Sequence, residues 1–373
     1  MTSTTTPGPA APPAGAGRFA FLVHPRTRIA DDLGRVWAPL GVGPERLYDL
    51  ALRRLTLPPV RMARVEIGGQ AVGDVVLVPF GARHLLERPG EGRLRVAAAV
   101  DRAARLGADV VGLGALTATV TGGGVSLRGR EDVGVTNGNA FTASTVDLQA
   151  RLLLGSAVDQ RADRHVAVVG ATGSVGGAVA ALLARDQAVD RLTLVARSRP
   201  RLDALASRLR TVSGGRVRTT ATDDLAAVAS ADLVVLLTAS TSAIIGPEHL
   251  APGAVVLDAT QPRNTSPAIL EQRPDVQVVD GGVVAIPSLR LLGGDIGLPD
   301  GRAYACFAET ALLALSGHRG HFSIGVPTLE QVDHTRALAA DLAHLGLGPA
   351  APTSFGRPLD LAPPHLLEPE AVR

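Results

Sequence analysis

The chain has 373 residues, of which 46% are hydrophobic and only 3% aromatic, with a formal net charge of +2. That suffices for two or three structural units with cores built mostly of Ala, Val and Leu, and the lack of a basic stripe interleaved with aromatics argues against nucleic-acid binding. All 37 basic residues are arginine, which excludes lysine Schiff bases, a pyridoxal phosphate linkage and a Walker-type phosphate lysine.

Residues 1–17 are rich in Thr, Pro, Ala and Gly, with neither a basic n-region nor an apolar h-region, and read as a disordered tail. No apolar run reaches about 18 residues, so no transmembrane helix is expected; peripheral membrane contact stays open. The single cysteine, Cys306, cannot close an intrachain disulfide. This fits a reducing compartment, and a cytoplasmic protein is expected.

Residues 18–138 read as an α/β substrate domain. Segments 19–25, 61–69 and 74–82 have strand patterns, and 93–109 reads as a helix leading into a buried strand at 110–118. The run Thr136-Asn137-Gly138-Asn139 is a turn signal, with Asn139 expected to cap a helix from Ala140 to Leu154. This helix, within a bridging segment 139–163, would join the first unit to the next.

Strand and helix then alternate from 164 to 290, with strands at 165–170, 191–197, 216–221, 232–239, 254–259 and 276–282. Their continuous apolar runs fit strands buried on both faces of a parallel sheet. The fold class expected is α/β: a Rossmann-like doubly wound parallel sheet, preceded by the smaller α/β domain and followed by a C-terminal helical segment at 291–348. That segment contains a helix at 302–315 carrying Cys306 and another at 329–345, and residues 349–373 read as a flexible tail.

The loop Gly170-Ala171-Thr172-Gly173-Ser174-Val175-Gly176 lies between a strong strand and a strong helix. Glycines let the backbone approach a pyrophosphate, and the helix amides face its charge. The second strand ends in Ala196-Arg197-Ser198-Arg199, with no acid to hold ribose hydroxyls. Arg197, helped by Thr172, Ser198 and Arg199, suits a 2′-phosphate, so NADPH is favoured. Thr238-Ala239-Ser240 closes the fourth strand, where the nicotinamide ribose would lie, and Asp280-Gly281-Gly282 is a further candidate near the nicotinamide. No metal site is expected: His318 and His321 lack partner ligands at a recognisable spacing.

A lone cysteine is more often a small buried hydrophobe than a nucleophile. Tyr48 and Tyr304 are the only tyrosines and lysine is absent, so a reductase using a Tyr-x-x-x-Lys pair is ruled out. The stretches GLGALTA (112–118), TNGNAFTAS (136–144), VAVVGATGSVGGAV (166–179), LVARSRPRLDAL (194–205), VDGGVV (279–284), YACFAETALL (304–313) and HFSIG (321–325) occur in one order. In this the chain resembles the cyanobacterial-type, aldehyde-forming long-chain acyl-[acyl-carrier-protein] reductases.

The resemblance implies that Cys306 takes the acyl group of a fatty acyl thioester, from acyl-carrier protein or acyl-CoA, and that NADPH then reduces it to the aldehyde. Such a thiol needs activation by a helix N-terminus or a nearby base. His24, Asn139 and Thr142 are candidates for proton transfer and oxyanion binding; they also read as a strand end, a helix cap and a turn residue. The chain departs from the family at Ala285-Ile286-Pro287-Ser288 and at Pro262-Arg263-Asn264, which bears on chain length and carrier. Two other readings stand: a shikimate- or amino-acid-type NADP dehydrogenase without covalent catalysis, and a non-enzymatic NADP-binding sensor.

Overall fold

The computed structural model describes residues 15–25, 29–30, 34, 38–157, 163–240 and 242–359. The expected N-terminal tail up to residue 14, the linker 158–162 and the end of the expected C-terminal tail, 360–373, lie outside the described residues. Contacts divide the chain into two units: Met1–Thr142 with Val284–Gly348, and Ala143–Val283 with Pro349–Arg373.

In chain order the first unit provides β1 (Phe19–Val23), α1 (Glu45–Arg54), β2 (Val60–Ile67), β3 (Gln70–Leu77), α2 (Ala82–Glu87), α3 (Pro89–Arg105), β4 (Val110–Leu113), α4 (Leu116–Val120) and β5 (Gly134–Thr136). Helix α5 (Asn139–Ala157) then carries the chain into the second unit. The buried strand expected at 110–118 is cut short. Ala115 has a positive φ of 48° and starts α4 at Leu116.

The second unit contains β6 (His165–Val169), α6 (Ser174–Arg185), β7 (Arg191–Val195), α7 (Arg199–Val212), β8 (Arg218–Thr222), β9 (Leu233–Leu236), β10 (Val255–Asp258), α8 (Ala268–Gln272) and β11 (Gln277–Asp280). Its sheet is parallel throughout, in the order β11-β10-β9-β6-β7-β8. Strand order reverses between β6 and β9, the point at which doubly wound sheets open a crevice at their carboxyl ends. The Rossmann-like sheet expected from sequence is present, and β6, β9 and β10 are buried at every residue, as double-sided packing requires.

The chain then re-enters the first unit with β12 (Arg290–Gly293), β13 (Arg302–Tyr304), α9 (Ala305–Leu315) and α10 (Leu329–Asp341). The first sheet runs β12-β2-β3-β1-β4-β5; β3, β1, β4 and β5 are parallel, and β2 and β12 extend it antiparallel. Side chains of β1 alternate between two cores. Phe19 and Phe21 face a core that includes Phe307 and Ala308 of α9, whereas Ala20 and Leu22 face one that includes Val96 and Val100 of α3. Phe307 meets the rings of Phe19 and Phe21 edge-on, at 5.4 and 5.2 Å between centroids. Such pairs add about 1 kcal/mol beyond burial.

Helix α9 is therefore part of the first unit's core, and not of a separate helical segment. The reason is composition: ten of its residues from Ala305 to Leu315 are buried, so the helix needs a sheet to cover it. The start of the expected tail is also held. Thr353–Ser354 pairs with Arg357–Pro358, and Thr353 Oγ1 and the Gly356 amide donate to Asp280 at 2.8 and 2.7 Å.

Candidate active site

Helix α9 begins one residue before the thiol. Tyr304 is its N-cap and Ala305 its first residue, so Cys306 is the second. The sequence places this helix start at 302, but residues 302–304 form β13 instead. Cys306 is half-buried and is a free thiol. Burial pushes it up from the usual 9.0 to about 12, and the Glu309 carboxylate pushes in the same direction. The amides of Phe307 and Cys306 pull it down without overcoming these. The helix N-terminus alone does not make this thiol a thiolate.

The turn after β5 forms a wall against Cys306. Gly138 has φ +76°, and a Cβ there would lie 2.2 Å from the Cys306 Cβ and 2.5 Å from its Cα. Only glycine allows both that conformation and that approach. Asn137 fixes the turn from below. It is 2% exposed, its Nδ2 donates to the carbonyls of Gly123 (3.0 Å) and Gly325 (2.9 Å), and its Oδ1 accepts from Ser323 Oγ at 2.9 Å. The same Oδ1 accepts the Asn139 amide at 3.0 Å. The cap of α5 is thus Asn137, not the expected Asn139, which is itself the first helical residue.

Glu309, one turn beyond Cys306 on α9, is wholly buried. One carboxylate oxygen accepts from the Thr136 hydroxyl and the other from the Phe141 amide at 2.7 Å. Amides of Gly138 and Ala140 also favour its charged form. Burial still wins, raising it from the usual 4.5 to about 7. The sequence reading passed over Glu309, although a single acid inside an otherwise apolar helix is a recognisable signal, since buried acids are rare unless partnered.

Three of the four expected catalytic residues surround one feature. Cys306 abuts Gly138, Asn139 follows it, and Thr142 Oγ1 donates to the Gly138 carbonyl at 2.7 Å. His24 follows the end of β1. Its Nδ1 lies 2.8 Å from the Pro25 carbonyl and its Nε2 accepts the Leu116 amide at 3.3 Å, an arrangement that requires the proton on Nδ1. Both therefore lie at carboxyl ends of parallel strands, His24 after β1 and the Gly138 turn after β5. His321 bridges the Val135 amide (3.1 Å) and the Arg128 carbonyl (3.0 Å), which is a structural role.

In the second unit the glycine-rich loop has the form a dinucleotide needs. Gly170 has φ +87°, and a Cβ there would lie 2.5 Å from the Leu237 carbonyl. Gly173 caps α6, which starts at Ser174 and aims its first amides outward. Ala171, Thr172, Val175 and Gly176 complete the turn. Arg197 is exposed just beyond β7, and Ser198 is the N-cap of α7. Arg199 pairs with Asp203 at 3.1 Å. Arg201, not singled out from sequence, instead reaches back to the loop, its Nη2 donating to the Thr172 carbonyl at 2.5 Å.

Thr238 donates to Asn264 Oδ1, and Ser240 donates to the Ser242 carbonyl at 3.0 Å. Asn264, fully buried, also donates to the carbonyls of Ser240 and Ser242 at 3.1 Å each, holding the segment that contains Ala239. Asp280 is taken up by Arg263 at 2.9 Å and by the 353–358 hairpin. Among the described residues no group of three or more His, Cys, Asp or Glu could hold a metal ion, and no helix is long and apolar enough to cross a membrane.

Comparison with known proteins adds the following. The NAD binding domain of semialdehyde dehydrogenase matches residues 165–284. The long-chain acyl-[acyl-carrier-protein] reductase of Synechococcus elongatus is 31% identical over 246 residues, 62% of this chain and 69% of that protein. The aminotransferase PigE of a Serratia species is 28% identical over 83% of this chain, but this chain spans only 37% of PigE. A quinate dehydrogenase from Corynebacterium glutamicum, in complex with NAD, covers 86% of this chain and 99% of its own at 15% identity and a TM-score of 0.37, too slight a likeness to bear on function. The chain belongs, as a distant member, to the family of the long-chain acyl-[acyl-carrier-protein] reductase, and it carries an NAD(P)-binding domain of the semialdehyde dehydrogenase type.

Proposed function

We propose that the protein is an NADPH-dependent reductase that converts a fatty acyl thioester, carried on acyl-carrier protein or coenzyme A, to the aldehyde through an acyl group held on Cys306. The observation that carries this reading is the thiol at the second residue of α9, packed against the Gly138 turn. A buried structural cysteine needs no such glycine wall with Asn139 and Thr142 beside it.

The first exchange balances without a redox partner. Cys306 Sγ bonds to the acyl carbon, the donor's own S–C bond breaks, and the thiol proton passes to the departing carrier thiolate. Because the resting thiol is held near 12, the proton leaves during attack and a base must receive it. His24 is the group proposed for that role, its Nε2 exchanging the Leu116 amide for the thiol proton. Asn139 and Thr142 are proposed as donors to the carbonyl oxygen as it gains charge, the Thr142 hydroxyl turning away from the Gly138 carbonyl to do so. Bound NADPH would supply hydride to the acyl carbon; the C–S bond to Cys306 then breaks, the aldehyde leaves and the sulfur regains its proton. The cofactor's pyrophosphate would be held by the Gly170–Gly176 loop, its 2′-phosphate by Arg197, Ser198 and Arg201, and its nicotinamide ribose by Thr238, Ala239 and Ser240.

The test is intact-protein mass after incubation with acyl thioesters of varied chain and carrier, without NADPH. Wild type should gain one acyl mass and release it as aldehyde when NADPH is added, and Cys306→Ala should gain none. A dehydrogenase without covalent catalysis, or an NADP-binding sensor, would form no adduct with any donor while still binding the nucleotide.

A further inference from the structure

We propose that Glu309 is the positioning residue for Cys306, acting through the turn that it braces and through its like charge one helical turn from the sulfur. The inference rests on the reading of Cys306 as nucleophile.

Two contacts carry it. The Glu309 carboxylate accepts from Thr136 at the end of β5 and from the Phe141 amide in the first turn of α5, partners 173 and 168 residues away in sequence. Between these two lies Gly138, whose missing side chain leaves room for Cys306. One carboxylate therefore spans the ends of the segment that forms the thiol's wall. Cys306 and Glu309 are also three residues apart on α9, neighbours on one helix face. The geometry makes the acid both a brace and the nearest charge.

No competing charge neutralises it. Helix α9 packs on β1, β3, β4, β13 and α10. Asp74 of β3 pairs with Arg18 and Arg61, and Asp333 of α10 pairs with Arg336. Among the described residues no ion pair involves Glu309, and only hydrogen-bond donors oppose the effect of its burial. A like charge one turn away disfavours the thiolate, and the thiol is pushed up accordingly. The resting cysteine is thereby kept out of adventitious oxidation and alkylation, which attack the thiolate.

Two substitutions separate the brace from the charge. Glu309→Gln keeps the reach and loses the charge; Glu309→Asp keeps the charge and shortens the reach. Cys306 is the only cysteine, so alkylation by iodoacetamide reports on it alone. Removing the Glu309 charge lowers the thiol, giving more thiolate of somewhat lower nucleophilicity. Glu309→Gln should therefore be alkylated about threefold faster at pH 9, with kcat changed less than threefold. Glu309→Asp should alkylate like wild type and lose tenfold or more in kcat with little change in KM. Equal alkylation of Glu309→Gln and wild type, or wild-type kcat in Glu309→Asp, would overturn the proposal. If Glu309→Gln does not fold, the aspartate variant still decides. Alkylation needs no substrate, so absence of turnover in wild type would sink the reductase reading and leave the alkylation result to judge the coupling.

Discussion

The nucleotide loop and the thiol site both turn on a glycine with positive φ, but what occupies the missing side chain differs. At Gly170 the space is taken by the carbonyl of Leu237, the residue that follows β9, the neighbouring strand of the same parallel sheet. At Gly138 it is taken by Cys306, brought there by a helix that follows the second unit's segment Ala143–Val283 in the chain. A loop that serves a ligand can be built from one stretch of chain. The surroundings of the proposed nucleophile are assembled from distant stretches, tied together by the hydrogen bonds of Asn137 and Glu309.

The largest test of that contrast substitutes each glycine by alanine. At 138 the left-handed conformation costs about 1–2 kcal/mol and overlap with the Cys306 backbone roughly 1–3 more. Gly138→Ala should lose about 3 kcal/mol or more in urea unfolding, and fail to form the acyl adduct even where it folds. Gly170→Ala should lose NADPH binding yet still be acylated in the nucleotide's absence. If Gly138→Ala keeps both stability and acylation, the wall around Cys306 is not what the site depends on.

How much of this was legible follows the same division. The sheet β6 to β11, its glycine-rich loop and the strand end at Arg197 could be read because each signal is local: an apolar run, a turn and a helix within about 20 residues. The thiol site was legible only as a set of separate stretches. From sequence Asn139 reads as the cap because it directly precedes the expected helix, but the turn lets Asn137 accept the Asn139 amide while also bonding Gly123, Gly325 and Ser323. Those partners come from two other parts of the chain, and no spacing rule announces them. From sequence helix α9 reads as part of a separate segment for a related reason: its ten buried residues say that it needs cover, not which sheet provides it.

Two buried acids, Glu309 in the first unit and Asp280 in the second, are pushed to opposite sides of the usual range. Burial raises Glu309 to about 7. Burial also pushes Asp280 upward, but the Arg263 guanidinium, the Gly356 amide and the Thr353 hydroxyl together bring it below the usual 3.8. The signs follow. Between 4.5 and 7 the folded chain holds a proton at Glu309 that the unfolded chain has lost, so this contribution is full below that window and disappears as pH rises through it, on the order of 3 kcal/mol in all. The Asp280 contribution is present above 3.8 and fades in acid. Urea unfolding from pH 4 to 8 should give a stability gap between wild type and Glu309→Gln that moves in favour of the variant as pH rises. A gap independent of pH would mean that Glu309 titrates near its ordinary value.

The smallest expected effect sharpens the local half of the comparison. Arg199 is engaged with Asp203, whereas Arg201 lies against the Thr172 carbonyl of the glycine-rich loop. Both are exposed, so neither contributes much to stability, and their difference should appear only with nucleotide bound. A guanidinium beside the loop can add a charge-assisted hydrogen bond to a 2′-phosphate, worth about 1–1.5 kcal/mol, or roughly five- to tenfold in Kd. Arg201→Ala should weaken NADPH by that factor and leave NADH nearly unchanged, while Arg199→Ala should shift NADPH less than twofold. Titration of nucleotide fluorescence measures all four values. Equal weakening of NADPH and NADH by Arg201→Ala would make this arginine a clamp on the loop itself. Preference for the phosphorylated cofactor would then fall to Arg197 and Ser198, at the strand end where the sequence first located it.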